Sequence, residues 1–137
     1  MNQVNMIKKA VAVVIENENG QILLTQRGEL SRDEFSKWEN CGGAVEENET
    51  KEEAILREVK EELGCKLLIS NILYQDKFKT DSGTDWEVTI FQGKIIGTPI
   101  VQNKENAAIK WFQKSELQNL NLASYTRKDF EKFGWIK

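Results

Sequence analysis

The chain has no histidine. That removes imidazole bases, Ser-His nucleophile pairs and His-ligated zinc, and leaves acid–base or metal chemistry resting mainly on carboxylates. There are two cysteines, Cys41 and Cys65, and they form no CxxC pair. A reducing compartment, the cytoplasm, is the expectation. No apolar run is long enough to span a bilayer, so no membrane association is expected. The N-terminal stretch carries Lys8-Lys9 and a short apolar run that ends in Glu and Asn. It lacks a small-residue cleavage site, so no signal peptide is expected. Charge of either sign is not in excess: 19 basic against 22 acidic residues give a net charge of -3. A nucleic-acid backbone partner would call for a basic face and is not expected. Repeats, low-complexity segments and Pro/Gly/Ser linkers are also absent, and the one proline is Pro99. One domain over residues 1–137, with one core, is expected.

What remains is an ordinary globular composition, 39% hydrophobic and 30% charged. Residues 7–15 (IKKAVAVVI) are rich in β-branched side chains and predict a strand. Residues 16–20 carry an Asn-Gly turn signal, and 21–26 (QILLTQ) predict a second strand, so the two predict a hairpin. Residues 28–37 are polar and predict a loop, and 38–49 lead into a helix. Thr50 is placed to cap that helix, with Glu53 three residues on as its capping-box partner. Gly64 is placed to end it after Leu63. Strands are predicted at 66–78, 86–96 and 109–112, and short helices at 115–117 and 126–133. This order predicts an α/β (α+β) fold: a mixed sheet between the first helix and a C-terminal helix.

The stretch from Gly43 to Cys65 reads GAVEENETKEEAILREVKEELGC. A helix advances about 100° per residue, so with Glu58 at zero, Glu61 falls near -60° and Glu62 near +40°. Three carboxylates thus share one arc, beside an apolar arc of Ile55, Leu56, Val59 and Leu63. Like charges packed this tightly repel. A cation relieves the repulsion, and oxygen-only donors favour Mg²⁺ or Mn²⁺, which keep waters and bind substrate phosphates. Glu46, Glu47, Glu52 and Glu53 lie off this arc or in the loop and read as solvated surface.

The spacing Gly43-x5-Glu49-x7-Arg57-Glu58-Val59-x-Glu61-Glu62-x-Gly64 resembles the Nudix box, the signature of hydrolases that cut nucleoside diphosphates linked to another moiety. Every position matches but the last, where Cys65 stands for a bulky aliphatic residue. The resemblance implies the Nudix fold, Mg²⁺ or Mn²⁺ as cofactor and a small nucleotide as substrate. It implies Glu58, Glu61 and Glu62 as metal ligands, with a backbone oxygen of the Gly42-Gly43 loop, here Gly43, beside them. Glu61 or Glu62 also serve catalysis. Arg57 paired with Glu49 fixes the loop to the helix. Asn48 stands where the family commonly has Gly, and Asn tolerates the left-handed conformation. KWENCGGAVE resembles the family's lead-in, with Cys41 in place of Pro. Glu105, six residues before Trp111, matches a glutamate that MutT-like members use over the metal site as ligand or base. Arg27 matches an arginine that contacts substrate phosphate. Thr126 falls near a position that reads the base edge.

Residues 77–83 hold neither the Pro nor the Tyr that accompany ADP-ribose or dinucleoside-polyphosphate preference, which leans toward a nucleoside triphosphate. Trp38, Trp86, Trp111 and Trp135 read as core or pocket walls, and one of them or Phe35 is a candidate to stack on a base. Two other functions compete with this reading: a non-catalytic module sensing a nucleotide or ADP-ribose-like ligand, and an isopentenyl-diphosphate isomerase using Cys41. The intact box argues against the first. The missing metal-binding histidines argue against the second. Monomer and homodimer both remain open.

Overall fold

The computed structural model describes residues 7–29, 34–102 and 106–137. Seven strands form one sheet: β1 (Lys8–Glu16), β2 (Ile22–Arg27), β3 (Trp38–Glu39), β4 (Cys41–Ala44), β5 (Lys66–Lys79), β6 (Asp85–Ile96) and β7 (Asn106–Phe112). Helices α1 (Lys51–Leu63) and α2 (Ser124–Lys132) and a 3-10 turn (Lys114–Asn119) are the other elements among the described residues. Within the sheet β1 runs parallel to β6 over Lys8–Ile15, while the other pairings are antiparallel. The sheet is therefore mixed, as expected.

Strand β1 is central because its side chains are apolar on both faces. Val11, Val13 and Ile15 pack with Ala54, Ile55, Val59 and Leu63 of α1. Val14 points the other way, into a cluster with Ile22, Leu24, Ile90, Leu117 and Phe130 that lies under α2. The alternation puts one helix on each side of the sheet. Each fully buried aliphatic side chain contributes roughly 1.5–3 kcal/mol.

The expected hairpin forms only at its turn. Asn17 Oδ1 accepts from the amides of Asn19 and Gln21, but strand pairing between β1 and β2 is limited to Ile15–Leu23 and Glu16–Ile22. The rest of β1 pairs with β4, through Ala10–Ala44 to Val13–Cys41. The segment expected only to lead into the helix thus contains two short strands. Their pairing is long-range and left no periodic signal in so few residues.

Helix α1 begins and ends as its sequence predicts. Thr50 Oγ1 accepts from the Glu53 amide at 3.0 Å, and the Glu53 carboxylate accepts from the Thr50 amide at 2.9 Å. Gly64 ends the helix with φ 70°. Leu56, expected on the apolar arc, is 41% exposed. Its place at the far edge of that arc, near 160° from Glu58, carries it past the sheet.

Candidate active site

Position 43 sets up the first half of the site. Gly43 pairs with Val11, on the α1 side of the sheet, and a Cβ there would lie 2.5 Å from Glu58 Oε1. The bare backbone is what lets the Glu58 carboxyl rest against β4. Its neighbour Gly42 pairs with Ala12 and lies hard against β1, where a Cβ would meet the Val11 carbonyl oxygen at 2.2 Å. Two adjacent glycines therefore serve two different close approaches.

Glu58 and Glu62 lie one turn apart on α1, and each carboxyl bears on the other's charge. Glu62 is 7% exposed. Its Oε2 accepts from Cys41 Sγ at 3.2 Å and its Oε1 from Asn106 Nδ2 at 3.4 Å. Burial pushes the Glu62 carboxyl well above the usual carboxylate range, with the Glu58 charge adding to it. Burial also raises Glu58, offset by hydrogen bonding and by the Arg57 charge. Glu61 turns away from the pair: its side chain is 54% exposed and contacts Arg57 at 3.4 Å. The arc explains this. Glu62, near +40°, lies beside Ile55, Val59 and Leu63 at 60–140°, whereas Glu61, near -60°, points 100° away from it.

Arg57 joins helix to loop. Its Nε donates to Glu49 Oε2 at 2.8 Å and its Nη2 to Glu49 Oε1 at 3.0 Å, a two-pronged contact. Nη2 also donates to the Ala44 carbonyl and Nη1 to Glu58 Oε1 at 2.9 Å. The guanidinium holds the Glu49 carboxyl down at about 2. In the same loop Asn48 takes φ 64°, the left-handed conformation expected of it. The pairing of Arg57 with Glu49 is thus as the sequence implied.

Glu58 and Glu62 open onto a cleft of about 1150 Å³ that continues to the opposite face of the sheet beneath α2. Small residues make the room: Ala10, Ala12 and Gly42 line it, while Val14 and Ile90 fill the neighbouring positions of the same face with core. Arg27 and Glu39 line it from the β2–β3 side. Arg27 Nη1 donates to Glu39 Oε1 at 3.1 Å and to the Tyr125 hydroxyl at 3.0 Å, and that hydroxyl donates to Glu39. Helix α2 presents Tyr125, Lys128, Asp129 and Lys132 to the cleft. Burial pushes the Asp129 carboxyl up to about 6 against the opposing charge of Lys132.

The structure therefore brings Arg27, Gly42, Gly43, Glu58 and Glu62 to one cleft, leaves Glu61 outside its lining beside Arg57, and sets Glu49 and Gly64 in supporting places. Glu105 lies outside the described residues. Thr126 is 2% exposed and packed into the core side of α2. The cleft face of that helix belongs to its neighbours, so Thr126 is not placed to read a base. Of the aromatics, Trp86 lines the cleft, whereas Trp38 packs edge-on to Phe112 at 4.9 Å and Trp135 stacks on Phe130. Phe35 is exposed and does not line it. Sequence reasoning missed Glu39, Asn40, Asn106, Tyr125 and Asp129. Glu39 and Asn40 stood inside the lead-in motif, where only its aromatic and glycines were weighed. The remaining three are single polar residues whose roles need the fold.

The model of the NUDIX domain family matches residues 6–133. The chain belongs to the Nudix family. Among its relatives is the CTP pyrophosphohydrolase of Escherichia coli K12, 31% identical over 119 residues, which cover 84% of this chain and 82% of that protein. The nucleoside triphosphatase NudI of an Enterobacter strain is 29% identical, with 96% and 100% covered. The crystal structure of a MutT protein from Methanosarcina mazei Go1 superposes with a TM-score of 0.79 at 27% identity, covering 97% and 96%. The chain is a Nudix hydrolase with a MutT-like fold, and its named relatives act on nucleoside triphosphates.

Cys41 offers no nucleophile here. It is 2% exposed, and burial together with the Glu62 charge raises its thiol well above the ordinary value, so the thiolate is suppressed.

Proposed function

We propose that the protein hydrolyses nucleoside triphosphates to a nucleoside monophosphate and pyrophosphate, with a divalent cation. Water adds to one phosphorus, a phosphoanhydride oxygen leaves, and both products carry the resulting charge. The observation that carries this reading is the Glu58–Glu62 carboxyl pair, seated against Gly43 at the mouth of the cleft.

Nudix hydrolases generally use divalent metal ions. Among the described residues no three Cys, Asp or Glu side chains form a closed metal cage. Two carboxyls one helical turn apart are nonetheless a fitting donor set for Mg²⁺ or Mn²⁺, which bind few protein oxygens and keep room for water and phosphate. Glu58 and Glu62 would hold the ion, with the Gly43 backbone and Glu61 at its edge. When bound, the ion supplies screening of phosphate charge and acidification of water.

The chain's own groups do the rest. Arg57 fixes the Glu58 carboxylate and the Glu49 loop. Arg27, oriented by Glu39 and Tyr125, meets substrate phosphate. Glu105, or one of Glu61 and Glu62, takes the proton from the attacking water. We read residues 1–137 as one domain acting in the cytoplasm on a small nucleotide, as monomer or homodimer. No helix among the described residues is long and apolar enough to cross a membrane.

The test is phosphate release from nucleoside triphosphates, 8-oxo-dGTP, ADP-ribose, dinucleoside polyphosphates and nucleotide sugars, with Mg²⁺ or Mn²⁺. Turnover of triphosphates is expected, with Glu61→Gln or Glu62→Gln losing activity while staying folded. Full activity in both variants would sink the reading. Tight nucleotide binding without product would favour a sensor instead.

A further inference from the structure

Asn40 sits between β3 and β4 and lines the cleft, yet only 6% of it is exposed. Both polar atoms of its amide, Oδ1 and Nδ2, are buried without a hydrogen-bond partner. Folded proteins leave few such groups, because a buried polar atom that loses water without gaining a partner is costly. The free protein carries that cost twice at one side chain.

We infer that Asn40 is a substrate contact that reads the hydrogen-bonding edge of the nucleobase. The inference rests on the nucleotide-hydrolase reading above and names a residue for its specificity. A primary amide presents an acceptor and a donor side by side, so both are satisfied by a group offering a donor next to an acceptor. The edge of a nucleobase does this. A phosphate offers acceptors alone and would leave Oδ1 unpaired. A cation would take Oδ1 and leave Nδ2 unpaired. The cleft has room for a flat ring: Ala12, Ala10 and Val88 give it a low apolar floor, and Tyr74 lines it as well. A 180° turn of the amide swaps donor and acceptor. Asn40 therefore selects for a base edge over a base-free polyphosphate rather than for one base.

The experiment uses the full chain with Asn40→Leu, which keeps the approximate shape without hydrogen bonds, and Asn40→Ala. Melting temperature, KM and kcat for nucleoside triphosphates, and affinities for nucleoside monophosphates and for inorganic tripolyphosphate are measured. Asn40→Leu is expected to melt at or above the parent, because an apolar isostere removes the orphaned pair. Its KM for nucleotides should rise roughly tenfold to a hundredfold with a smaller change in kcat, monophosphate affinity should fall alike, and tripolyphosphate affinity should not move. Unchanged nucleotide KM and affinity would overturn the inference, as an ordered water would then be serving the amide. An equal loss toward tripolyphosphate would overturn it too, as would a melting temperature well below the parent with a folded, fully binding Asn40→Ala. If Asn40→Leu fails to fold, Asn40→Ala gives the same readouts. Should the parent hydrolyse no nucleotide yet bind monophosphates through Asn40, the hydrolase reading fails and this inference stands. Should it bind none, both fail.

Discussion

The Glu58 carboxylate occupies the space that any side chain at position 43 would need, with its Oε1 2.5 Å from where a Cβ would be. Gly42, next in the chain, faces backbone instead, at 2.2 Å from the Val11 carbonyl. A carboxylate on a flexible side chain can move, whereas a paired strand cannot without losing its ladder. Gly43→Ala should therefore fold and lose activity, by about a hundredfold or more, as Glu58 is displaced. Gly42→Ala should lose stability first, by about 1–3 kcal/mol as overpacking against β1. Melting curves and kcat/KM on both variants check this. A stable, fully active Gly43→Ala would show that Glu58 is not needed where it sits.

Arg57 reaches Glu49, Glu58 and the Ala44 carbonyl at once, through three different nitrogens. A lysine carries one compact charged group and cannot copy the fork. Arg57→Lys is expected to restore little of what Arg57→Ala loses, with kcat/KM down about tenfold to a hundredfold in both. Near-parental activity in Arg57→Lys would mean that charge alone suffices.

Asp129 faces the cleft with its carboxyl raised from 3.8 to about 6, chiefly by burial. Its folded value lies above its unfolded one, so the unfolded chain releases this proton first as pH rises. The Asp129 contribution to stability is thus fully present below about pH 3.8 and is lost as pH rises through about 6. Asp129→Asn should stabilise the protein relative to the parent at pH 7–8, and the difference should vanish below pH 4. Melting temperatures of the two proteins across that range decide it, and a difference that grows toward low pH would contradict the assignment.

The legible part of the site was that carried by local spacing. The capping box at Thr50 and Glu53, the left-handed Asn48 and the Arg57–Glu49 pair involve residues within one loop and one helix, where geometry follows from residue number. The helical arc correctly set Glu58 and Glu62 side by side, yet could not say that Glu61 would turn outward beside Arg57. That depends on which side of the arc meets the sheet. Thr126 was misplaced for the same reason: a short helix has a core face and a cleft face, and nothing within α2 itself says which is which.

By itself the sequence determined the element order, the mixed α/β class, the box that marks a Nudix hydrolase and the absence of histidine from its chemistry. Only the tertiary structure decided that β4 inserts beside β1, that Ala10, Ala12 and Gly42 open a cleft under α2, and that Arg27, Glu39 and Tyr125 meet there. The physical reason is range. Helix caps and arcs are fixed by contacts a few residues apart, whereas the cleft is assembled from strands and a helix whose pairing is set by burying two apolar faces of one sheet at once.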